Sequence, residues 1–357
     1  MQNKINTDKD FFPFIDHWRW CLYKFASPKR IRNWFLKKSG TQAETFTFSR
    51  DLSAANSKFF VLPDTLEELS VFLPLMRYLV SQKPDPNELL FLGPKKFSTL
   101  LKRLDLNSYY QTYDPAQFKY GSLTFAVIER KVTDRIWDLV VCLDPNPNIL
   151  KLYLIAKAGS QHRVGFQNEH NYPFLNISFN GSGNKLLIDY RNQLAGQLKI
   201  PTESLQPFLA QDAISQISHN VILLNLEPSI TGEVWTPDEI IKLSAAIGAS
   251  YRFLAINPSS TKNSLSPTLD KLGIRTAPGG ASFQFFIEQL RQYPGLISLN
   301  SPHGILATHL SLSPILIFNG ESEGNLSSYV SREMRSKISE KKVQLNNWLG
   351  TLPKKEA

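Results

Sequence analysis

Two acidic residues at the start of one predicted helix are the candidates for proton transfer. Asp64 and Glu68 follow the apolar run 58–62 and stand on either side of Thr65. A carboxylate in this position could accept the proton of an attacking hydroxyl group, so both residues are candidate general bases. The alternative is structural, because Thr65 and Glu68 have the spacing of a capping box and Asp64 could cap the same helix. The sequence leaves both interpretations open.

Two polar loops have the composition of phosphate-binding turns. Ser229 and Thr231 follow the predicted strand 220–226 and precede a helix, and Asn257 begins a second polar loop over 257–261. Backbone N–H groups and hydroxyl groups at the N-terminus of a helix can bind phosphate. The alternative is that both segments are ordinary polar loops between strands and helices.

No motif in the sequence indicates metal or cofactor chemistry. His303 and His309 lie six residues apart rather than four, and the two cysteines, Cys21 and Cys142, cannot supply a four-ligand metal site. The sequence also lacks the Gly-x-Ser-x-Gly, Walker and Gly-x-Gly-x-x-Gly motifs, which argues against hydrolases, NTPases and dinucleotide oxidoreductases. We therefore expect no metal and no cofactor.

Short apolar runs alternate with helical patterns along most of the chain, which is typical of βαβ units and a mostly parallel sheet. The predicted strands cover residues 58–62, 88–92, 123–128, 138–143, 163–166, 220–226, 252–256, 296–299 and 314–318. We expect an α/β fold with two Rossmann-like domains facing a cleft, a helical N-terminal extension and a long C-terminal helix. The predicted organisation is a basic, aromatic-rich helical extension (1–50), an N-terminal Rossmann-like domain (51–205), a C-terminal Rossmann-like domain (206–325) and a C-terminal helix with a basic tail (326–357).

The net charge of +9 is concentrated at the two ends of the chain. Residues 1–40 contain nine Lys or Arg and three Asp, and residues 331–357 contain seven Lys or Arg and three Glu. The remaining body is close to neutral and offers no continuous basic track for a phosphate backbone. Nucleic acid is therefore not an expected partner.

The N-terminal segment combines aromatic and basic side chains in a helical pattern. Its candidate contact residues are Trp18, Arg30, Arg32, Trp34, Phe35, Lys37 and Lys38. Such a pattern is typical of a helix that lies on an anionic membrane, and it would also suit a clamp that packs onto the body of the protein or a protein-facing patch. The sequence contains no long apolar run and no signal peptide pattern. The expected location is the cytoplasm, with peripheral attachment to the inner face of the cytoplasmic membrane.

Four stretches of the chain, within residues 58–325, carry a resemblance to a known family. They are Leu66–Pro74, Asp138-Leu139-Val140-Val141-Cys142-Leu143-Asp144 with His162-Arg163-Val164-Gly165-Phe166, Asn225–Ser229 with Trp235 and Pro237, and Asn300-Ser301-Pro302-His303 with Pro314–Gly320. Their order resembles glycosyltransferase family nine, the heptosyltransferase-like enzymes of lipopolysaccharide core assembly. The second stretch is the most specific of the four.

The resemblance implies a GT-B fold and transfer of a sugar from a nucleotide donor to a lipid-linked, glycolipid or glycan acceptor of the cell envelope. It places Glu68 at the position of the presumed general base of the family. It also places Asn300, Ser301 and His303 on the donor-binding side, together with Ser229. In this family the last helix commonly returns to the first domain, which would bring both basic ends to one side.

The chain departs from the family pattern at positions that carry chemistry. Glu67 replaces a Gly, Glu233 replaces a Lys that can neutralise donor phosphates, and Asn300 replaces an Asp. The Glu233 exchange reverses the sign of a charge that would meet a leaving diphosphate. Two functions remain open: a divergent glycosyltransferase, or a catalytically inactive scaffold or binding subunit with the same fold.

Overall fold

A computed structural model describes most of the chain, in two compact units. The described residues are 28–40, 52–166, 171–179, 187–208, 220–230, 232–247, 251–256, 262–277, 283–311, 315–319 and 335–337. The first unit takes its residues from 1–64, 79–183 and 197–199, and the second from 65–78, 184–196 and 200–357. The division is therefore interleaved, since residues 65–78 and 184–196 count with the second unit.

The first unit contains a six-stranded sheet in which every neighbouring pair of strands is parallel. Its strands are β1 (Lys58–Val61), β2 (Leu89–Pro94), β3 (Tyr110–Tyr113), β4 (Leu139–Cys142), β5 (His162–Phe166) and β6 (Ile177–Phe179). Their spatial order is β3-β2-β1-β4-β5-β6, which is the order of a Rossmann fold. The order reverses between β1 and β4, and such a switch point is where open α/β sheets bind ligands, beyond the carboxyl ends of the strands.

The second unit repeats this topology. Its strands are β7 (Val221–Asn225), β8 (Arg252–Ile256), β9 (Arg275–Thr276), β10 (Leu296–Leu299), β11 (Ile315–Asn319) and β12 (Arg335–Lys337). They form a second parallel sheet of order β12-β11-β10-β7-β8-β9. The switch point of this sheet lies between β7 and β10. The prediction of two Rossmann-like folds is confirmed.

The helices alternate with the strands, as right-handed βαβ connections require. They are α1 (Pro28–Ser39), α2 (Leu66–Ser81), α3 (Ser98–Arg103), α4 (Leu123–Thr133), α5 (Ile149–Lys157), α6 (Leu187–Gln197), α7 (Pro237–Ile247), α8 (Lys262–Lys271), α9 (Phe283–Gln292) and α10 (Pro302–Leu310). Thr236 and Glu239 form a capping box at the start of α7, because Glu239 accepts hydrogen bonds from both the backbone N–H and the hydroxyl of Thr236 at 2.9 Å. Within the described ranges, no helix is both long and apolar enough to span a bilayer.

The core of the first unit is built around apolar strands and the helices α4 and α5. Trp137, Phe125 and Tyr153 are almost completely buried in it, and α1 adds Phe35, which is 0% exposed. Phe35 contacts Tyr120 and Tyr153 edge to face, with ring centroids 5.4 and 5.3 Å apart. Helix α1 is thus part of this core. The core of the second unit is a separate cluster of apolar residues from β7, β8, β10 and β11 with the helices α7 and α8, and it includes the aromatic rings of Trp235 and Phe253.

Two segments that the sequence predicted have a different secondary structure. Residues 123–128, predicted as a strand, begin helix α4, because the Ser122 hydroxyl caps the Phe125 N–H at 3.1 Å and Phe125, Ile128 and Val132 lie on one buried helix face. Residues 335–337, inside the predicted C-terminal helix, form β12, since they satisfy the backbone groups along β11. The rest of that predicted helix lies outside the described residues.

Candidate functional site

The switch point of the first sheet holds a buried ion-pair network. Asp64 follows β1 and Asp144 follows β4, and these strands are neighbours in the sheet. The Lys151 ammonium lies 2.9 Å from Asp64 Oδ2, contacts Asp144 Oδ2 and donates to the Leu62 carbonyl at 3.2 Å. Each of its three N–H groups can therefore meet an oxygen acceptor.

The local sequence explains how Lys151 reaches this point. Asn148 caps helix α5, and its Oδ1 accepts from the N–H groups of Leu150 and Lys151 at 3.0 Å each. This cap fixes the first turn of α5, and the Lys151 side chain is completely buried there. A buried ammonium is costly unless it is paired and hydrogen-bonded, so the two carboxylates account for its presence.

Tyr113 holds the second oxygen of Asp64. Its hydroxyl group donates to Asp64 Oδ1 at 2.6 Å. Burial raises the pKa of Tyr113, and the negative charge of Asp64 raises it further, so the phenol stays protonated and remains a donor. The Asp64 side chain is 46% exposed, whereas Asp144 is buried. Asp64 is thus an oriented carboxylate that an incoming hydroxyl group can reach.

Glu68 lies in the first turn of α2. Its backbone N–H donates to Thr65 Oγ1 at 3.4 Å, so Thr65 caps this helix, which agrees with the structural alternative that the sequence left open. The Glu68 side chain is half-buried. Its role as a general base remains a prediction.

The switch point of the second sheet holds a network of hydroxyl and amide groups. Asn225, at the end of β7, donates through Nδ2 to Ser298 Oγ at 3.0 Å and to Ser301 Oγ at 2.9 Å. Ser301 caps α10 and accepts from the N–H of Gly304 at 3.1 Å. Gly304 leaves no room for a side chain, because a Cβ atom there would lie 2.5 Å from Ser298 Oγ. The network therefore holds the start of α10 tightly against β7 and β10.

Glu227 and His303 form a hydrogen-bonded pair at the same edge of this sheet. Glu227 Oε1 lies 2.9 Å from His303 Nδ1, and Oε2 accepts from the backbone N–H of His303 at 2.9 Å. Burial raises the pKa of Glu227, but the hydrogen bonds and charge of His303, together with a hydrogen bond from Ser301, outweigh burial and lower it. Glu227 is therefore held as a carboxylate.

Two buried polar atoms, one on this pair and one on Asn300, lack hydrogen-bond partners in the described part of the chain. Asn300 Oδ1 and His303 Nε2 are buried, and neither has a hydrogen-bond partner among the described residues. The imidazole of His303 lies against Phe283 and Phe286, with ring centroids 5.4 and 4.9 Å away. A buried polar atom without a partner is costly, so these two atoms are positions where a ligand could add hydrogen bonds.

Ser229 joins the cluster through the loop that follows β7. Its Oγ accepts from the N–H of Glu233 at 2.9 Å, and the next residue, Ile230, donates from its N–H to the Asn300 carbonyl at 2.8 Å. The structure thus brings four predicted donor-side residues together at one switch point: Ser229, Asn300, Ser301 and His303. Thr231 and Asn257 lie outside the described residues. In the described part of the chain, no group of three or more His, Cys, Asp or Glu side chains could hold a metal ion.

The predicted surface residues of the N-terminal segment separate into two groups. Phe35 as a membrane or partner contact is wrong, because its ring is completely buried in the core of the first unit. Trp34 packs partly against Tyr120, and Lys38 lies over both rings at 5.1 and 4.8 Å. Of the remaining basic residues, Arg30 and Lys37 are exposed, whereas Arg32 is half-buried and donates to the Tyr172 carbonyl. Trp18 lies outside the described residues.

The fold of this chain is similar to that of solved glycosyltransferase structures. A glycosyl transferase family 9 structure from Veillonella parvula matches with a TM-score of 0.60 at 14% identity, over 87% of this chain and 93% of that one. The Escherichia coli heptosyltransferase WaaC matches in two complexes. The complex with ADP has a TM-score of 0.55 at 11% identity over 82% and 98% of the two chains. The complex with ADP-2-deoxy-2-fluoro heptose has a TM-score of 0.54 at 10% identity over 75% and 90%.

The chain has a heptosyltransferase-like fold. No protein-family model and no curated protein sequence matches it. The resemblance read from the sequence is thus confirmed at the level of the fold.

Sequence reasoning missed several residues of this heptosyltransferase-like fold. Lys151 and Tyr113 lie far from Asp64 along the chain, and no local motif pairs them with it. Asn225 and Glu227 stood inside a recognised stretch, but their contacts with α10 depend on the order of β7 and β10. The one signal in the sequence that could have indicated these residues is the position of polar residues directly after apolar strands. In a parallel sheet such residues lie at the same edge.

Proposed function

We propose that this protein is a glycosyltransferase that takes a sugar from a nucleotide donor and passes it to a lipid-linked or cell-envelope acceptor. The observation that carries the proposal is the pair of switch points. In each sheet, polar side chains that could bind ligands or transfer protons lie at the carboxyl ends of the two strands where the order reverses. The heptosyltransferase-like fold supports the same function.

The second unit is the proposed donor side. Ser229, Ser301 and the N-terminus of α10 offer hydroxyl and backbone groups of the kind that hold diphosphates. Asn300 and His303 would complete their hydrogen bonding on such a ligand, because each has a buried atom without a partner among the described residues. Thr231 and Asn257 remain proposed donor contacts from the sequence.

The first unit is the proposed catalytic side, with Asp64 as the general base. The acceptor oxygen would form a bond to the anomeric carbon of the donor sugar while the bond from that carbon to the phosphate oxygen breaks. The acceptor proton passes to the Asp64 carboxylate, and the nucleoside diphosphate leaves with the electron pair. Tyr113 and Lys151 orient this carboxylate, which favours it over Glu68 for the role.

A second candidate function is a non-catalytic scaffold with the same fold. Glu227, held as a carboxylate at the donor side, and Glu233, which stands in the loop after β7, favour it. Negative charge at these positions opposes binding of a diphosphate. Donor binding therefore separates the two functions.

We further propose that the protein attaches peripherally to an anionic membrane surface. Arg30 and Lys37 are exposed on α1, and the α4 side chains Leu123 and Val127 are 81% and 54% exposed. Helices α1 and α4 are linked through Tyr120, whose ring contacts Trp34 on α1 and Phe125 on α4. Basic and apolar side chains on adjoining helices suit phospholipid headgroups and the outer acyl region.

The test of the proposed function is a calorimetric titration of the full chain with ADP, UDP, GDP, CDP and their sugar conjugates. A glycosyltransferase should bind one nucleotide sugar, and the affinity should fall when Ser301 is replaced by Ala. Circular dichroism of each sample controls for folding. A folded chain that binds none of these compounds would favour the scaffold function.

A further inference from the structure

The N-terminus of α10 is the part of the second switch point best suited to an anion. Helix α10 has nine residues, with Ser301 as its cap and Pro302 at its first position. The first N–H groups of a helix have no partner inside the helix, and the helix dipole makes this end positive. Phosphate groups bind at such ends for these two reasons.

In this protein a carboxylate of the chain itself takes that position. Glu227 receives the backbone N–H of His303, the ring Nδ1 of His303 and a hydrogen bond from Ser301, all from the first turn of α10. The side chains of Glu227 and His303 are only 14% and 12% exposed. The carboxylate therefore occupies the donors that a phosphate oxygen would use.

Neighbouring groups point to a ligand larger than a carboxylate. Asn300 is 5% exposed, and its Oδ1 has no hydrogen-bond partner among the described residues. The buried Nε2 of His303 also has no hydrogen-bond partner among them. A half-turn of the Asn300 amide presents N–H groups instead of oxygen, and His303 Nε2 donates when it carries a proton. Asn300 directly precedes Ser301, and Nε2 belongs to the ring whose Nδ1 contacts Glu227, so Glu227 leaves both atoms without a partner among the described residues.

We propose that Glu227 is an internal substitute for a donor phosphate, and that a diphosphate ligand must displace it from the N-terminus of α10. This inference rests on the proposed function, because it assigns the diphosphate of the nucleotide donor to that position. Glu227 would then set the affinity for the donor. The wild-type chain should bind free diphosphate weakly, because each binding event must break the contact between Glu227 and His303.

The experiment measures binding of inorganic pyrophosphate to the full chain by calorimetry. Glu227→Ala vacates the position, and Glu227→Gln removes the charge while keeping the shape of the side chain. Both variants should bind pyrophosphate more tightly than wild type, on the order of tenfold for Glu227→Ala. The matched control is Asp238→Ala, which removes an exposed acid from the first turn of α7 and should leave the affinity unchanged.

The pyrophosphate-binding experiment tests the role of Glu227 independently of whether the protein transfers sugar. If Glu227→Ala does not fold, the isosteric Gln variant decides. A folded Gln variant that binds pyrophosphate no more tightly than wild type would overturn the inference, as would a gain of equal size in Asp238→Ala. Tighter binding by the Glu227 variants supports the inference even if no sugar transfer is found, and transfer by wild type without this gain supports the function alone.

Discussion

At the scale of single residues, Lys151 is the group on which the candidate catalytic side depends. Its ammonium has lost all contact with solvent and bridges the exposed Asp64 and the buried Asp144. A buried ion pair contributes little compared with a well-packed apolar pair, but removal of one partner leaves an uncompensated charge. The stability of the first unit should therefore be sensitive to this one side chain.

We predict that Lys151→Met lowers the free energy of unfolding by about 3–5 kcal/mol at neutral pH. The reason is that Asp144 would stay buried without its cation. The double variant Lys151→Met/Asp144→Asn should recover a large part of the loss, because the unpaired charge is gone. Urea denaturation followed by circular dichroism measures both. Equal stability of the single variant and wild type would contradict this account of the network.

Glu227 should impose a pH dependence on stability. Its pKa is lowered in the folded protein, so its ionisation stabilises the fold above the ordinary carboxyl value of 4.5. That stabilisation is lost as the pH falls through the folded-state pKa. Glu227→Gln cannot ionise, so the stability difference between wild type and this variant should shrink between about pH 5 and about pH 3. Thermal denaturation over this pH range measures the stability difference, and a difference that is constant with pH would contradict the stabilising contact between Glu227 and His303.

At the scale of elements, the sequence predicted most strands and helices but failed where local preference and cap chemistry disagreed. The residues 123–128 are rich in aromatic and β-branched types, which favour strands, yet Ser122 caps them into helix α4. The strands β3, β6 and β9 have two to four residues, too few for a periodic signal. Pairing decides these elements, and pairing is a tertiary property.

The same limit applies to the candidate site. Ser229, Asn300, Ser301 and His303 could be predicted because the family resemblance marked them, and the structure places them together. Lys151 could not be predicted, since its role depends on how α5 packs relative to the ends of β1 and β4. The Asn148 cap that sets this geometry is visible in the sequence only as one more polar residue.

Helix α1 should behave as a structural element of the first unit. We predict that Phe35→Ala lowers the free energy of unfolding by about 3–5 kcal/mol, because it leaves a cavity among Tyr120, Tyr153 and their neighbours. Asn33→Ala, at an exposed position on the same helix, should change it by less than about 0.5 kcal/mol. Chemical denaturation of both variants measures the difference. A Phe35 variant as stable as wild type would restore the interpretation of α1 as a surface anchor alone.

For the molecule as a whole, the positive charge is concentrated at the two ends of the sequence, and we expect these basic ends to bind an anionic partner. We predict that the full chain binds vesicles containing anionic phospholipid and that binding weakens with added salt, because exposed charges are screened over about 8–10 Å. Arg30→Glu/Lys37→Glu should weaken binding by about 1 kcal/mol or more per residue. Leu123→Ser/Val127→Ser should reduce the part that persists at high salt.

Vesicle co-sedimentation measures this binding, and Lys102→Glu/Arg103→Glu, at exposed positions on helix α3, is a charge-matched control. Equal loss in the control would show that net charge alone drives attachment. A wild-type chain that does not sediment with anionic vesicles would contradict the membrane proposal and leave a protein partner as the remaining explanation of the basic ends.

Sugar transfer with Asp64 as the base is tested by the rate at which the protein releases nucleoside diphosphate from a bound nucleotide sugar. Wild type should release it, and release should accelerate when a glycolipid acceptor is added. Asp64→Asn should bind the donor as wild type does and turn over about 10²–10⁴-fold more slowly, because it cannot take the acceptor proton. An unchanged rate in Asp64→Asn would contradict the role of Asp64 as the base. No release by the folded wild-type chain from any nucleotide sugar would contradict sugar transfer itself.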